Sequence, residues 1–307
     1  RGLNNIMPEM KSTNYIAKDR ESMYDPMEDR MHGNDPFSSL MLIDIMATEL
    51  CNLTCEFCPR AHGYPNLNLN MDLKLIDKIG SDLAASHYQN RLLYCGFGES
   101  LLYPQLTESI KLLKKHMPWQ KNIHMVTNGD RLTYDKTVEL IDAGLNKIFV
   151  SMYSGPEQED KFKELFAKVG LNEENYILQH YYKPPEENYG FLYLSNRAGY
   201  LFNEDLPALG CNIPFYAMSV HWDGDVLLCS HDWEKKQVMG NIMETSVQDI
   251  WLKSQKLWQF RQKLATGRDC HPCNKCNIKG VLYGEVSKDT LFENELALNP
   301  IIKVTAV

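Results

Sequence analysis

From Leu40 onward the apolar positions alternate between short runs and longer amphipathic stretches. The run Met41-Leu42-Ile43-Asp44-Ile45-Met46-Ala47 reads as a buried strand. A helix predicted over 72–86 leads to a strand over 91–96, and a helix over 105–116 leads to a strand over 122–127. The same rhythm gives a helix over 134–143, a strand over 147–151, a helix over 157–168 and a strand over 176–181. Strands alternating with helices of this length predict an α/β fold of parallel strands joined by right-handed crossovers.

The rhythm breaks at Pro184-Pro185-Glu186-Glu187, after which Phe191-Leu192-Tyr193-Leu194 reads as a last barrel strand. Residues 1–36 show no sustained period and carry Asp25-Pro26 and Asp35-Pro36 as breakers, so they are expected to form a flexible arm or a lid. The last third changes character. A Pro-led apolar run, the turn His221-Trp222-Asp223-Gly224 and the run Asp225–Leu228 predict a β-hairpin. A helix is expected from Ser246, with Asp249 three residues on as a capping partner and Ile250, Trp251, Leu257, Trp258 and Leu264 as its core face.

Composition narrows the function. A net charge of −8 argues against a broad nucleic-acid footprint, and no apolar run is long enough to span a membrane. Nine cysteines, clustered by position, point to metal ligation in a reducing compartment, so a cytoplasmic location is expected.

Cys51, Cys55 and Cys58 lie in a C-x3-C-x2-C arrangement just after the first strand. Three thiolates so spaced suit an iron–sulfur cluster that leaves one iron open. The competing readings are a zinc site with His62 as a further ligand, core thiols, and a disulfide framework. Cys211 and Cys229 stand seventeen residues apart across the hairpin, and Cys270-His271-Pro272-Cys273-Asn274-Lys275-Cys276 closes the unit. Four cysteines there suit a second cluster, with tetrahedral zinc as the alternative.

The cysteine loop, with Phe57 before its last Cys, resembles the signature of the radical S-adenosylmethionine (radical SAM) enzymes. About forty residues on, Gly96-Phe97-Gly98-Glu99-Ser100 is similar to the family's Gly-Gly-Glu-Pro motif, with Ser100 where Pro is usual. The order Cys, Asp-Gly hairpin, Cys, Gly240-Asn241-Ile242, a helix with Ile-Trp and then Cys-x2-Cys resembles the family's SPASM/twitch extension. The resemblance implies a partial (β/α)6 radical SAM barrel over 37–205, a small twitch/SPASM-like iron–sulfur domain over 206–280, and a C-terminal extension over 281–307.

The resemblance also implies two cofactor types, SAM and two [4Fe–4S] clusters. Cys51, Cys55 and Cys58 would hold the catalytic cluster, and Cys211, Cys229, Cys273 and Cys276 the auxiliary one. Phe57 is expected near the adenine, and Gly96, Phe97, Gly98 and Glu99 around the SAM amino group. Thr127, Asn128 and Ser151, with Tyr153, end strands where the SAM ribose or carboxylate would lie. Within the family the nearest resemblance is to aminocyclitol dehydrogenases, which implies oxidation of a carbinol in a sugar or aminocyclitol. Arg197 or a nearby His is then expected to take the hydroxyl proton, with the auxiliary cluster accepting an electron. An electron donor such as flavodoxin or ferredoxin is the expected protein partner. The alternatives are an epimerase returning hydrogen from Cys95 or Cys270, a peptide maturase, which the shortness of residues 1–36 counts against, and a non-catalytic iron–sulfur or zinc protein.

Overall fold

The computed structural model describes residues 35–182, 195–203 and 209–295. Strands β1 (Leu42–Met46), β2 (Arg91–Tyr94), β3 (Ile123–Thr127), β4 (Lys147–Met152) and β5 (Tyr176–His180) are parallel neighbours in chain order. Between them run α1 (Leu73–Ala85), α2 (Leu106–His116), α3 (Tyr134–Ala143) and α4 (Glu157–Val169), close to the ranges that the hydrophobic pattern predicts. Local chemistry fixes their ends. Asp72 and Thr133 accept hydrogen bonds from the backbone of the first turns of α1 and α3, and Gly144 and Gly170 close α3 and α4 at φ of 108° and 84°.

On the other side of β1 lies β6 (Ala217–His221), also parallel to it, followed by the antiparallel strands β7 (Asp225–Leu227) and β8 (Val238–Asn241). The expected hairpin is thus present as β6 and β7, and its first strand also extends the barrel sheet, whose order is β5-β4-β3-β2-β1-β6-β7-β8. One sheet therefore takes strands from both the 37–205 and the 206–280 segments. The expected strand Phe191–Leu194 lies outside the described residues, as do most of the N-terminal arm and the chain beyond Glu295.

The helix expected from Ser246 is two helices, α6 (Val247–Lys253) and α7 (Gln255–Thr266), after the short α5 (Ile213–Tyr216). Ser254 is extended (ψ 108°), ends the first helix and caps the second by accepting from Leu257 N. The expected face stays buried, and Arg261 is stacked 4.2 Å from the Trp251 ring. In the C-terminal extension α8 (Glu285–Glu293) packs against α5 and the turn Pro36–Ser39.

Strand alternation positions the site. Ile43 and Ile45 of β1 and Leu92 and Tyr94 of β2 point to the helices and join the main core. Each such buried aliphatic or aromatic side chain contributes roughly 1.5–3 kcal/mol. Leu42 and Asp44, then Arg91, Leu93 and Cys95, take the other phase and line the barrel interior.

Candidate active site and iron–sulfur centres

The cysteine loop leaves the C-terminal end of β1 and is tied down on several sides. Cys51 exchanges two hydrogen bonds with the Asn66 side chain, each 2.9 Å. Asn52 donates to Asp130 at 2.9 Å and accepts from Asn128 at 2.9 Å. Arg60, just past Cys58, donates to the carbonyls of Phe97, Pro65 and Glu49. His62 is exposed, with its Nε2 placed 2.6 Å from the Glu56 carbonyl. Burial pushes the Cys55 thiol up to about 12, reinforced by the neighbouring Cys58 and Cys51, and burial also raises Cys51. Thiols held protonated in this way at Cys51 and Cys55 belong to a donor set whose ionisation a cationic iron core would favour.

The Gly-Phe-Gly-Glu segment follows β2 and packs onto that loop. A Cβ on Gly98 would lie 2.3 Å from the Thr48 carbonyl oxygen and 2.7 Å from that of Leu50, so only glycine admits this approach. Glu99 is 4% exposed, and its carboxylate is engaged by Leu101 N, Thr127 Oγ1 at 2.6 Å and Asn128 N at 2.8 Å. Burial nevertheless raises Glu99, against the lowering by those hydrogen bonds. Thr127 and Asn128 thus brace Glu99 and, through Asn52, the cysteine loop.

A cavity of about 320 Å³ occupies the barrel interior. Phe57, Gly96, Ser151 and Tyr153 reach it from the barrel, and Arg197, His231 and Trp233 reach it from the later segments. Of the residues expected at the site, Phe57, Gly96, Ser151, Cys95 and Arg197 meet at this wall; Phe97, Gly98, Glu99, Thr127 and Asn128 are not among its lining residues. Arg197 sits in a left-handed turn (φ 50°) held by Asn196, whose backbone N–H donates to Asn277 and whose side chain donates to the Lys275 carbonyl.

Asp44 is a member of this wall that the sequence reading passed over. Its signal was a carboxylate in the lumen phase of an otherwise apolar strand. A second cluster missed there joins the buried Glu49, Arg60 and His221 with the half-buried Tyr64 beside the cysteine loop. Its members are scattered over 172 residues of chain, so no local pattern marks it.

Cys211, Cys229, Cys273 and Cys276 line one apolar cavity, with Leu228, Leu264 and Ile278 among its walls. Burial raises Cys211 to about 11 and holds Cys229 well above its ordinary value. The four thiols share the wall of that one cavity, which among the described residues holds no His, Asp or Glu other than His231 and Asp232. Four cysteine thiolates are the usual donor set of a [4Fe–4S] cluster, so these residues fit that group. Cys270 hydrogen-bonds to Cys273 and does not line the barrel cavity.

A family model for the radical SAM superfamily matches residues 45–177, and one for the SPASM iron–sulfur cluster-binding domain matches 211–277. This chain carries a radical SAM domain followed by a SPASM domain. The radical SAM domain accordingly binds SAM and a [4Fe–4S] cluster, and the SPASM domain binds auxiliary iron–sulfur. A relative from Niallia circulans, the S-adenosyl-L-methionine-dependent 2-deoxy-scyllo-inosamine dehydrogenase, is 28% identical over 247 residues, covering 78% of this chain and 94% of its own. The crystal structure of BtrN in complex with AdoMet and 2-DOIA is similar at a TM-score of 0.67 and 28% identity, over 80% of this chain and 96% of that one. BtrN in an open conformation matches at a TM-score of 0.57 and 24% identity, over 78% of this chain and 92% of that one, and bears on the fold alone.

Proposed function

We propose that this radical SAM protein oxidises a carbinol carbon of an aminocyclitol or a closely related amino sugar to a ketone. The observation that carries the reading is the barrel cavity whose wall is shared by the cysteine loop, the end of β2 and the segment holding Arg197, with the auxiliary cysteines adjoining through His231 and Ile278. When bound, SAM and the catalytic cluster supply hydrogen-atom abstraction, and the auxiliary cluster supplies a one-electron acceptor.

The chain's own residues do the rest. Cys51, Cys55 and Cys58 hold the catalytic cluster, and Phe57 and Gly96 form the SAM-facing wall. Glu99 fixes the turn after β2, with one acceptor position left for the SAM ammonium beyond its three protein donors. Cys211, Cys229, Cys273 and Cys276 hold the auxiliary cluster. Arg197, whose guanidinium stays protonated, serves as a donor to a substrate oxygen and not as a base. Ser151 and Gln179, whose side chains lie 3.4 Å apart, offer hydroxyl and amide groups to a polyol. We place the protein in the cytoplasm with a flavodoxin or ferredoxin as donor; no helix among the described residues is long and apolar enough to cross a membrane.

The test is anaerobic turnover of the reconstituted, reduced enzyme with a panel of aminocyclitols that includes 2-deoxy-scyllo-inosamine. One 5′-deoxyadenosine should form per product lacking two hydrogens. Formation of 5′-deoxyadenosine without such a product from any member would refute the substrate class.

A second reading, epimerisation, draws on Cys95. Burial holds this cavity-lining thiol well above its ordinary value, so it remains S–H and is placed to return a hydrogen atom. An isomeric product carrying one solvent deuterium would favour it.

A further inference from the structure

The geometry points to Asp44 as the catalytic base that accepts the hydroxyl proton of the carbinol. The assignment rests on the dehydrogenase reading above and names the residue for its proton transfer.

Asp44 is the single carboxylate among the described residues that line the barrel cavity, where Arg91, Arg197 and Lys279 bring positive charge. It sits level with Leu93 on one neighbouring strand and Ser219 on the other, in the middle of the sheet. Ser219 Oγ donates to Asp44 Oδ2 at 3.0 Å and the Cys95 thiol donates to Oδ1 at 3.4 Å. Those two bonds hold the carboxylate from either side and leave each oxygen a further acceptor position towards the cavity. Cys95, which donates to Asp44, adjoins Gly96, and all three line the same cavity.

The environment suits a base. Burial lifts the Asp44 carboxyl to about 6, against the lowering by Ser219, Cys95 and the Arg91 charge. A group poised there is ionised near neutral pH yet far more basic than an exposed aspartate. The groups that face it are Arg91 of β2, Cys95 just past its end, Ser219 from β6, and, at longer range, Tyr88 and Cys229. An arginine cannot fill the same role, because it does not give up its proton in this range.

The bookkeeping closes. One hydrogen atom leaves carbon for the SAM-derived radical, the O–H proton passes to an Asp44 oxygen as the C=O bond forms, and the remaining electron goes to the auxiliary cluster.

The experiment compares wild type with Asp44→Asn, which keeps shape and size, and Asp44→Glu, which keeps a carboxyl. Each is reconstituted, checked for iron content and melting temperature, and assayed with carbinol-deuterated 2-deoxy-scyllo-inosamine across pH. In wild type the rate should rise with pH through an apparent pKa near 6. Asp44→Asn should lose about 10²-fold or more in kcat, with little change in KM, and lose that limb. Deuterium should still enter 5′-deoxyadenosine in a single turnover, and Asp44→Glu should recover part of the rate. A readout independent of turnover is the carboxyl ¹³C signal of labelled protein that vanishes in Asp44→Asn, which should titrate near 6. An Asp44→Asn enzyme within about threefold of wild type would overturn the assignment, as would a signal titrating near the ordinary aspartate value of about 3.9. An acid limb lost in His231→Gln but kept in Asp44→Asn would give the role to His231. If wild type makes no ketone from any aminocyclitol, the dehydrogenase reading fails first and takes this assignment with it.

Discussion

His221 Nε2 lies 2.7 Å from Glu49 Oε1, joining the end of β6 to the two-residue approach to Cys51. The contact is buried, with side-chain exposures of 3% and 5%, and Tyr64 and Arg60 close around the same carboxylate. On its other side His221 Nδ1 is 3.0 Å from Asp223, which Lys235 also holds at 2.5 Å. The SPASM region thereby grips the base of the catalytic cysteine loop.

Removing that grip should cost stability. Burial acts to lower His221, but the hydrogen bonds to Asp223 and Glu49 outweigh it and raise the folded-state value above 6.5. A raised histidine contributes stability fully below its unfolded value of about 6.5, and loses it as pH rises through the folded value. Thermal melts of wild type should therefore fall more steeply than those of His221→Gln as pH rises above about 6.5. At pH 6 the variant, which removes the imidazolium from beside Glu49 while Arg60 and Tyr64 stay, should be about 2 kcal/mol less stable. Parallel melting curves across that range would contradict the assignment.

Gly280 touches the auxiliary site directly. A Cβ there would lie 2.2 Å from Cys211 Sγ, and the Gly280 carbonyl accepts from Asn212 N at 2.7 Å. Gly280→Ala should displace the Cys211 thiolate and lower iron from about eight to about four per chain, sparing 5′-deoxyadenosine formation. Wild-type iron content in the variant would show that the site tolerates the methyl.

Cys270 and Cys273 offer two thiols side by side, and only Cys273 lines the auxiliary cavity. Cys270→Ala should keep about eight irons and full turnover, whereas Cys273→Ala should lose the auxiliary cluster. Iron loss in Cys270→Ala would exchange the two roles.

Gly98→Ala tests the close contact at the top of the barrel. With Thr48 and Leu50 carbonyls in its way, the methyl should push the cysteine loop off its support. Turnover should fall by at least about tenfold, a change of about 1.4 kcal/mol in the barrier. An unimpaired variant would mean that the loop and the β2 turn move independently.

Much of this architecture was legible in the chain. Helix and strand ranges through β5 followed from hydrophobic spacing, because each element buries one face and has local capping residues such as Asp72, Thr133 and Gly144. The break at Ser254 was hidden because the apolar period continues across it while the hydroxyl caps the next helix. Ala217–His221 was legible as a hairpin arm, but its pairing with β1 depends on residues 175 positions apart, Ser219 and Asp44. The site divides similarly. Cysteine spacing announces itself locally, whereas the bracing of Glu99 by Thr127 and Asn128 from another strand has no local mark. Glu49 and His221 meet only after the sheet has formed.

The most direct test of the central claim follows the hydrogen that leaves the substrate. An aminocyclitol deuterated at the carbinol carbon, 2-deoxy-scyllo-inosamine first, is turned over anaerobically by the reconstituted enzyme, and both products are weighed by mass spectrometry. The account predicts 5′-deoxyadenosine carrying one deuterium, equimolar with a ketone that has lost it. Unlabelled 5′-deoxyadenosine, or a product that keeps its hydrogen count and takes up solvent hydrogen at the same carbon, would contradict it.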